Sequence, residues 1–378
     1  MQLRHIPALV VMLTLIAGCN RPPAAGELPV SPLVGKPALG LDGALVWLNS
    51  EELTLDSLRG KVVLLHFFDY SCLNSIHTYP YLLEWERRYA PLGLQVIGIH
   101  SPGFDFGLTP ANVQDGVNRA GLTHPIAVDS DLKITGVYHN RYWPRLLLLD
   151  KAGLVRFDHT GEGKYAEAEL MLQTLLRELN PRAELPAVML PVHDFDRTNA
   201  VCYVTTPELY LGRTRGDFGN YEAASTNAVI TFHLPAERES GVVYARGAWS
   251  IHNDYMRHAE DQDDLTDCLT LKYQATDLNV VMKPEGVYWM TVFVEQDGQP
   301  IPKNSAGTDI RYDADGQSFV KVDAARLYNL THRQPHQSYE ARLSLRGKGL
   351  SVYGFSFGTS AIPKDAAQFR QSKNTPAR

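Results

Sequence analysis

The residue with the clearest chemical potential in this sequence is Cys72, which lies between an apolar run and a predicted helix. Dithiol redox motifs place two residues between their cysteines, and here the second position is occupied by Ser75. A cysteine at the start of a helix meets unpaired amides and the positive end of the helix dipole, which lower the thiol pKa. Because a serine hydroxyl does not attack a mixed disulfide near neutral pH, the sequence predicts a nucleophilic thiol without a resolving partner.

Several uses of a lone thiol are open at this point. Cys72 could exchange with substrate disulfides, or peroxide could oxidise it to a sulfenic acid that serves as a sensor. Cys202 or Cys268 could resolve it from the second half of the chain. The alternative without chemistry is a buried, inert cysteine in a decayed site. One thiol with His77 or His100 at no fixed spacing does not define a copper site, so we predict no metal and no cofactor.

The elements around Cys72 alternate between strands and helices. A continuous apolar strand, residues 62–68, precedes Cys72, and a helical pattern follows it through Trp85 and Tyr89. The further predicted elements are a strand at 94–100, a helix at 112–120, strands at 125–128 and 145–150, a hairpin at Gly153 and a helix at 166–179. This order predicts an α/β layer with Cys72 at the carboxyl end of a central strand.

The N-terminal segment, residues 1–19, has the pattern of a lipoprotein signal peptide. Arg4 and His5 precede an apolar run from Ile6 to Ile16 that is too short for a lasting membrane span. The sequence ending at Cys19 resembles a bacterial lipobox, in which the cysteine is acylated and becomes the new N-terminus. An ordinary secretory signal is the alternative. Both readings place the chain outside the cytoplasm, in the cell envelope, and residues 20–35 suit a linker.

Length and charge restrict the number of domains and the classes of partner that the protein can have. The chain has 378 residues, which predicts two domains. Its formal net charge is −6 and no basic stripe is present, which argues against a nucleic-acid partner. If Cys19 carries lipid, three cysteines remain, and an odd number in an oxidising compartment leaves at least one unpaired.

The second half of the chain changes character after a proline-punctuated linker at 181–200. Short alternating strands are predicted at 229–234, 269–273, 280–282, 289–294 and 341–345. Asp297-Gly298 is a strong hairpin signal between two strands. Residues 201–360 therefore predict an all-β sandwich with a jelly-roll arrangement, and residues 361–378 predict a disordered tail.

Several blocks of sequence resemble a known family. They are Leu58–Leu65, Tyr70–Asn74, Tyr79–Leu82, Val96–Pro102, Asn140–Pro144 and Gly161–Gly163. In this order they resemble a thioredoxin-fold domain of the TlpA/ResA type over residues 36–180, similar to the extracytoplasmic thioredoxin part of DipZ-type proteins.

The resemblance implies roles for residues near Cys72. It implies that Pro144 is a cis-proline facing the active cysteine and that Trp143 presents its backbone to a bound peptide. His66 occupies a position where thioredoxins often place a buried carboxylate, so it either tunes the Cys72 pKa or fills the core. Tyr70, in the active-site segment, is a further candidate for substrate contact or pKa tuning.

The second half resembles the module that follows thioredoxin in DipZ-type proteins, which looks like a carbohydrate-binding domain. Sugars stack on exposed aromatic rings, and the candidates are Trp249, Tyr255, Tyr288 and Trp289. Alternation in a strand would place Tyr288 and Trp289 on opposite faces. The acidic run at 260–267 is a calcium site or a solvated loop. Cys202 and Cys268 could form a disulfide.

These observations predict a lipid-anchored thioredoxin-like protein of the cell envelope that performs thiol-disulfide exchange through Cys72. Its expected partners are envelope proteins with thiols or disulfides, a glycan or partner protein on the β-sandwich, and the membrane through the lipid. The alternative is a non-catalytic binding lipoprotein with a degenerate redox site.

Overall fold

The structure, a computed structural model, describes residues 31–197, 200–216, 218–220 and 228–359. The first domain contains six strands and four α-helices in the described range. They are β1 (Val46–Leu48), β2 (Val62–Phe68), α1 (Leu73–Tyr89), β3 (Leu94–His100), α2 (Pro110–Ala120), β4 (Ile126–Val128), α3 (Lys133–Val137), β5 (Arg145–Leu149), β6 (Val155–Thr160) and α4 (Tyr165–Leu179). No helix in this described part of the chain is long and apolar enough to cross a membrane.

The apolar run before Cys72 forms the centre of the first sheet. All seven residues of β2 are buried, as a strand covered on both faces requires. The strand order is β1-β4-β3-β2-β5-β6, with β2 parallel to β3 and antiparallel to β5. The predictions for β2, β3 and the helix after Cys72 are confirmed, whereas β1 and α3 were not predicted. The short α3 was missed because five residues do not show a helical period.

The second domain is built from strands throughout its described residues. They are β7 (Leu209–Tyr210), β8 (Val229–Phe232), β9 (Val243–Ile251), β10 (Met256–His258), β11 (Cys268–Ala275), β12 (Asp277–Pro284), β13 (Met290–Gln296), β14 (Gln299–Pro300), β15 (Ile310–Tyr312), β16 (Ser318–Val322), β17 (Arg326–Thr331), β18 (Gln337–Ser344) and β19 (Leu350–Gly358). Hydrogen bonds join these thirteen strands, all antiparallel, into one large sheet.

The large sheet encloses a single apolar core. Residues from β11, β13 and β18 pack in the same cluster as residues from β12, β17 and β19, so strands from widely separated parts of the sheet contribute to this core. The predicted hairpin is confirmed, because Asp297 and Gly298 both have positive φ between β13 and β14. The jelly-roll arrangement stays a prediction.

The predicted linker at 181–200 is held against the first domain at several points between residues 186 and 196. The Gln173 side chain donates to the Pro186 carbonyl at 2.8 Å, and the Glu169 carboxylate accepts from the Met189 amide at 2.9 Å. Tyr81 donates its hydroxyl proton to Asp196 at 2.7 Å and accepts from the Val192 amide at 2.7 Å. The segment is therefore a docked strap and not a free tether.

The two domains share apolar side chains. Tyr353 of β19 is fully buried, and its ring centroid lies 4.8 Å from that of Phe106 and 5.2 Å from that of Phe104, in the loop after β3. Val281 of β12 belongs to the same buried cluster as residues of the first domain. The Asp105 amide also donates to the Asp254 carboxylate at 3.1 Å. The domains therefore form one packed unit.

We predict that Tyr353→Ala destabilises the protein, because the substitution leaves a cavity where the two domains meet. Large-to-small changes of this kind cost about 3–5 kcal/mol, measurable as a lower midpoint of urea unfolding. The matched control is Tyr288→Ala, since Tyr288 is 95% exposed and its removal should change stability by less than about 0.5 kcal/mol. Equal effects of the two variants would contradict a shared core.

Candidate active site

Cys72 occupies the N-cap position of α1, immediately after β2 and a short turn. Its amide donates to the Asp69 carbonyl at 3.1 Å, and its carbonyl accepts from the Ile76 amide at 3.0 Å. The thiol is free and the residue is partly buried. Ser75, one turn into the helix, is fully buried. The predicted position of the thiol at the start of a helix is thus confirmed.

The expected low pKa of Cys72 is wrong. Burial raises the pKa of the thiol to about 12, and the negative charges of Glu208 and Asp69 act in the same direction. The backbone and side chain of Ser75 form hydrogen bonds that lower this pKa, as the helix start predicts, but they do not offset the burial. The resting site therefore holds a protonated thiol at neutral pH.

Asp69 organises the turn between β2 and Cys72. Its carboxylate accepts the Ser71 amide at 2.6 Å and the Ser71 hydroxyl at 2.7 Å. Its other oxygen accepts the Gly103 amide, which ties the turn to the loop after β3. A side chain at position 103 would come within 2.5 Å of that oxygen, so the close approach requires glycine. Asp69 therefore fixes the backbone that presents Cys72.

The Trp143-Pro144 peptide bond is cis, as the family resemblance implied. It directly precedes β5, the antiparallel neighbour of β2 in the sheet. Gly103 lies next to the Trp143 ring, since a Cβ built on it would be 3.9 Å from a ring carbon. The Trp143 indole nitrogen is buried without a hydrogen-bond partner. Contact of this segment with a substrate stays a prediction.

His66 and Tyr70 are packed in the core. His66 is fully buried with both ring nitrogens unpartnered, and it stacks on Phe68 at 5.0 Å. Burial, together with the charge of His124, lowers the pKa of His66, so it is neutral. Tyr70 stacks on His100 at 5.3 Å and is buried, which leaves its ring little surface for a substrate. For His66 the core-filling alternative is favoured, because Glu208, Asp69 and Ser75 are the groups that act on Cys72.

Residues of the second domain contact the loop next to the active-site turn, and the sequence did not predict these contacts. Arg215 donates to the Gly103 carbonyl at 2.7 Å, and its guanidinium carbon lies 4.2 Å from the Tyr210 ring centroid and 4.8 Å from that of Phe104. Glu208, on the same segment, raises the pKa of Cys72. The sequence offered no signal for these contacts, because nothing in the spacing of Glu208 or Arg215 relates them to Cys72.

The predicted cysteine pairing is wrong. Cys202 is disulfide-bonded, whereas Cys268 is a free, buried thiol on β11. Since β11 is an interior strand of the sheet, burial protects the Cys268 thiol, and burial also raises its pKa. Cys268 is buried and Cys202 is already bonded, so neither supplies an accessible thiol to resolve a bond at Cys72. The predicted lipidation site, Cys19, lies outside the described residues.

The predicted sugar platforms have different environments. Trp249 is fully buried in the sheet core and donates to the Arg246 carbonyl, so its prediction as a glycan contact is wrong. Tyr255 packs on Tyr353 at 4.9 Å beside the domain contact. Tyr288 and Trp289 precede β13 and are 95% and 53% exposed, so the prediction that alternation in a strand separates them is also wrong.

The described residues contain no group of three or more histidine, cysteine or acidic side chains arranged to hold a metal ion. His77, one of the two histidines considered for copper, bonds instead to Glu162 at 2.5 Å. In the acidic run, Asp261 and Asp264 accept hydrogen bonds from Lys348 and Thr266, respectively. These two carboxylates are therefore held by hydrogen bonds from neighbouring protein groups.

Three features of the first domain define a thioredoxin-like protein. They are a mixed sheet with this strand order, a cysteine that begins the first long helix, and a cis-proline before the antiparallel strand β5. Residues 206–358 match a family model described as a thioredoxin-like C-terminal domain. Thiol-disulfide oxidoreductase YkuV of Bacillus subtilis is 31% identical over 144 residues, which cover 38% of this chain and 96% of YkuV. The chain therefore belongs to the thioredoxin-like family.

The chain is also similar to two further proteins. Protein DipZ of Mycobacterium tuberculosis is 32% identical over 325 residues, which cover 84% of this chain and 42% of DipZ. The chain thus spans less than half the length of DipZ, but the match extends over both domains of this chain. A solved solution structure of a thioredoxin-like protein in the oxidized form is 31% identical and covers 38% of this chain and 94% of that chain, with a TM-score of 0.34.

We predict that alkylation of Cys72 by iodoacetamide is slow near neutral pH and rises about tenfold for each pH unit into the alkaline range, because only the thiolate reacts. Mass spectrometry of the modified peptide gives the rate. In Cys72→Ser, labelling should nearly disappear, since Cys268 is buried and Cys202 is bonded. A rate that levels off below pH 8 would contradict the raised pKa.

Proposed function

We propose that this chain performs thiol-disulfide exchange through Cys72 alone. The observation that carries the proposal is a free thiol, on a residue that is only partly buried, at the start of α1 in a thioredoxin-like domain with a cis Trp143-Pro144 bond. The similarity to YkuV, a thiol-disulfide oxidoreductase, supports the same chemistry. In this reaction Cys72 attacks a substrate disulfide and forms a mixed disulfide. An external thiol then releases the substrate, because Ser75 supplies no second sulfur.

We further propose that the protein works in the cell envelope, anchored by lipid at Cys19. The signal-like residues 1–19 and the lipobox-like sequence support this location, although Cys19 itself lies outside the described residues. The substrates would then be envelope proteins that carry thiols or disulfides.

The second domain is proposed to bind a glycan or a partner protein, with jelly-roll connectivity. The observation that favours a glycan is the pair of exposed aromatic rings, Tyr288 and Trp289, at the start of β13. The Lys321 ammonium lies 5.2 Å from the Trp289 ring centroid and provides a polar neighbour for sugar hydroxyls. Exposed aromatic faces with adjacent polar groups suit the C–H faces and hydroxyls of sugars.

A non-catalytic binding protein with a degenerate redox site is the second candidate. The observation that favours it is the raised pKa of Cys72, because a protonated thiol attacks disulfides slowly. The two candidates differ in whether Cys72 forms covalent adducts with substrates.

We predict that the full-length protein forms mixed disulfides with envelope proteins in cells and that these adducts depend on Cys72. The adducts should be long-lived, because no resolving thiol follows Cys72 in the helix. After acid quenching and alkylation, non-reducing gels and mass spectrometry should show higher-mass species that disappear with reductant and in Cys72→Ser.

The control for this experiment is Cys268→Ser, which removes a buried thiol and should leave the adducts unchanged. Complete absence of adducts through Cys72, with the protein folded and exported, would favour the non-catalytic candidate.

We predict that Ser75→Cys gains dithiol reductase activity. Positions 72 and 75 lie on the same face of the first helical turn, where a second thiol can reach the first. Insulin reduction with dithiothreitol as the electron source should rise at least about tenfold over the parent chain, because resolution becomes intramolecular. The control is Ser71→Cys, which adds a buried thiol beside Cys72 at the wrong spacing. No gain in Ser75→Cys would contradict an intact exchange site.

A further inference from the structure

The carboxylate of Glu208 is fixed on the second domain near the thiol of the first. One oxygen accepts the Tyr210 hydroxyl at 2.6 Å, and the other accepts the Ser356 hydroxyl at 3.3 Å. Tyr210 lies on β7, which pairs with β19 through Gly354. Both donors are therefore held by the sheet of the second domain, and Glu208 is partly exposed to solvent. A rigid, accessible carboxylate is the kind of group that selects a ligand by charge.

The position of Glu208 relative to Cys72 follows from contacts on both sides of the domain boundary. Arg215 and Tyr210 pack on the loop that contains Gly103 and Phe104. Asp69 accepts the amide of Gly103, and its own carbonyl accepts the amide of Cys72. The turn that holds Cys72 and the segment that holds Glu208 are thus both attached to this loop, and the charge of Glu208 opposes formation of the Cys72 thiolate.

The charges around the thiol are unbalanced. The charges that act on it are those of Asp69 from the first domain and Glu208 from the second. Within the described ranges, neither Asp69 nor Glu208 forms a salt bridge. Arg215 is a nearby cation that contacts the Gly103 carbonyl and the Tyr210 ring, and its charge offsets part of this negative charge. Because two carboxylates stand against this one cation, the site keeps negative charge near the thiol.

We propose that Glu208 makes Cys72 selective for disulfides that carry positive charge close to their sulfur atoms. A cationic substrate is attracted to the carboxylate and, once bound, offsets the negative charge that opposes formation of the Cys72 thiolate. An anionic substrate is repelled and adds to that charge. For a protein substrate, this means cysteines flanked by lysine or arginine. This inference rests on the proposed exchange function.

The reaction itself balances without an additional oxidant. Cys72 loses its proton to solvent, and the thiolate attacks one sulfur of the substrate disulfide. The new sulfur–sulfur bond forms as the substrate bond breaks, and the leaving thiolate takes a proton from water. The products are one mixed disulfide at Cys72 and one free substrate thiol.

Three small disulfides test the proposal with the full chain. They are cystamine, which is cationic, bis(hydroxyethyl) disulfide, which is neutral, and dithiodipropionate, which is anionic. Mass spectrometry gives the rate of adduct formation at Cys72 near neutral pH and low salt, and each rate is divided by that of mercaptoethanol with the same disulfide. We expect cystamine to react at least about tenfold faster than dithiodipropionate, and added salt to reduce the difference.

Two variants determine whether Glu208 is responsible. Glu208→Gln keeps the shape of the side chain and removes its charge, so it should reduce the cystamine preference severalfold and speed the reaction with dithiodipropionate. Glu340→Gln is the control, because Glu340 is a partly buried carboxylate of the same domain that pairs with Arg238 and does not act on Cys72. That control should retain the full preference.

The outcomes separate this inference from the function on which it rests. Equal corrected rates for all three disulfides, or an unchanged preference in Glu208→Gln, would overturn the role of Glu208 and leave exchange through Cys72 intact. If Cys72 forms no adduct with any of the three, the exchange function itself fails. The salt dependence in the unmodified chain provides a second measurement that does not rely on folding of a variant.

Discussion

The packing of Tyr353 between the two domains is the constraint on which the arrangement of the active site depends. This single ring contacts Phe104 and Phe106 in the loop after β3, and the same loop is tied to the turn before Cys72 by Asp69. Because the ring is buried, the loop cannot move away from the second domain without exposing apolar surface to water. The chemistry of the first domain is therefore set partly by the second.

The site shows a competition between two physical effects on one thiol. A helix start favours the thiolate through amide hydrogen bonds, and Ser75 provides this contribution. Burial and two carboxylates favour the protonated form, and together they raise the pKa by more than the hydrogen bonds of Ser75 lower it. A position at a helix start is thus insufficient to lower the pKa of a cysteine when the thiol is buried and carboxylates lie near it.

The sequence predicted those features that depend on local pattern. The uninterrupted apolar run defined β2 because a strand buried on both faces has no polar positions. The cis bond before Pro144 followed from resemblance. The pKa of Cys72 could not be predicted, because it depends first on burial in the folded chain and then on the charge of Glu208, a residue far along the chain. The burial of Trp249 was missed for a related reason: alternation identifies the two faces of a strand but not which of them meets the core.

The strap between the domains gives the molecule a mechanical property. The residues around Met189 and Val192 are bonded to α4 and α1, so this described part of the connection is held in place. Pulling the halves apart would first have to peel this segment from the helices, one hydrogen bond after another. Lengthening the connection with a flexible insert would therefore weaken the mutual positioning of the two domains.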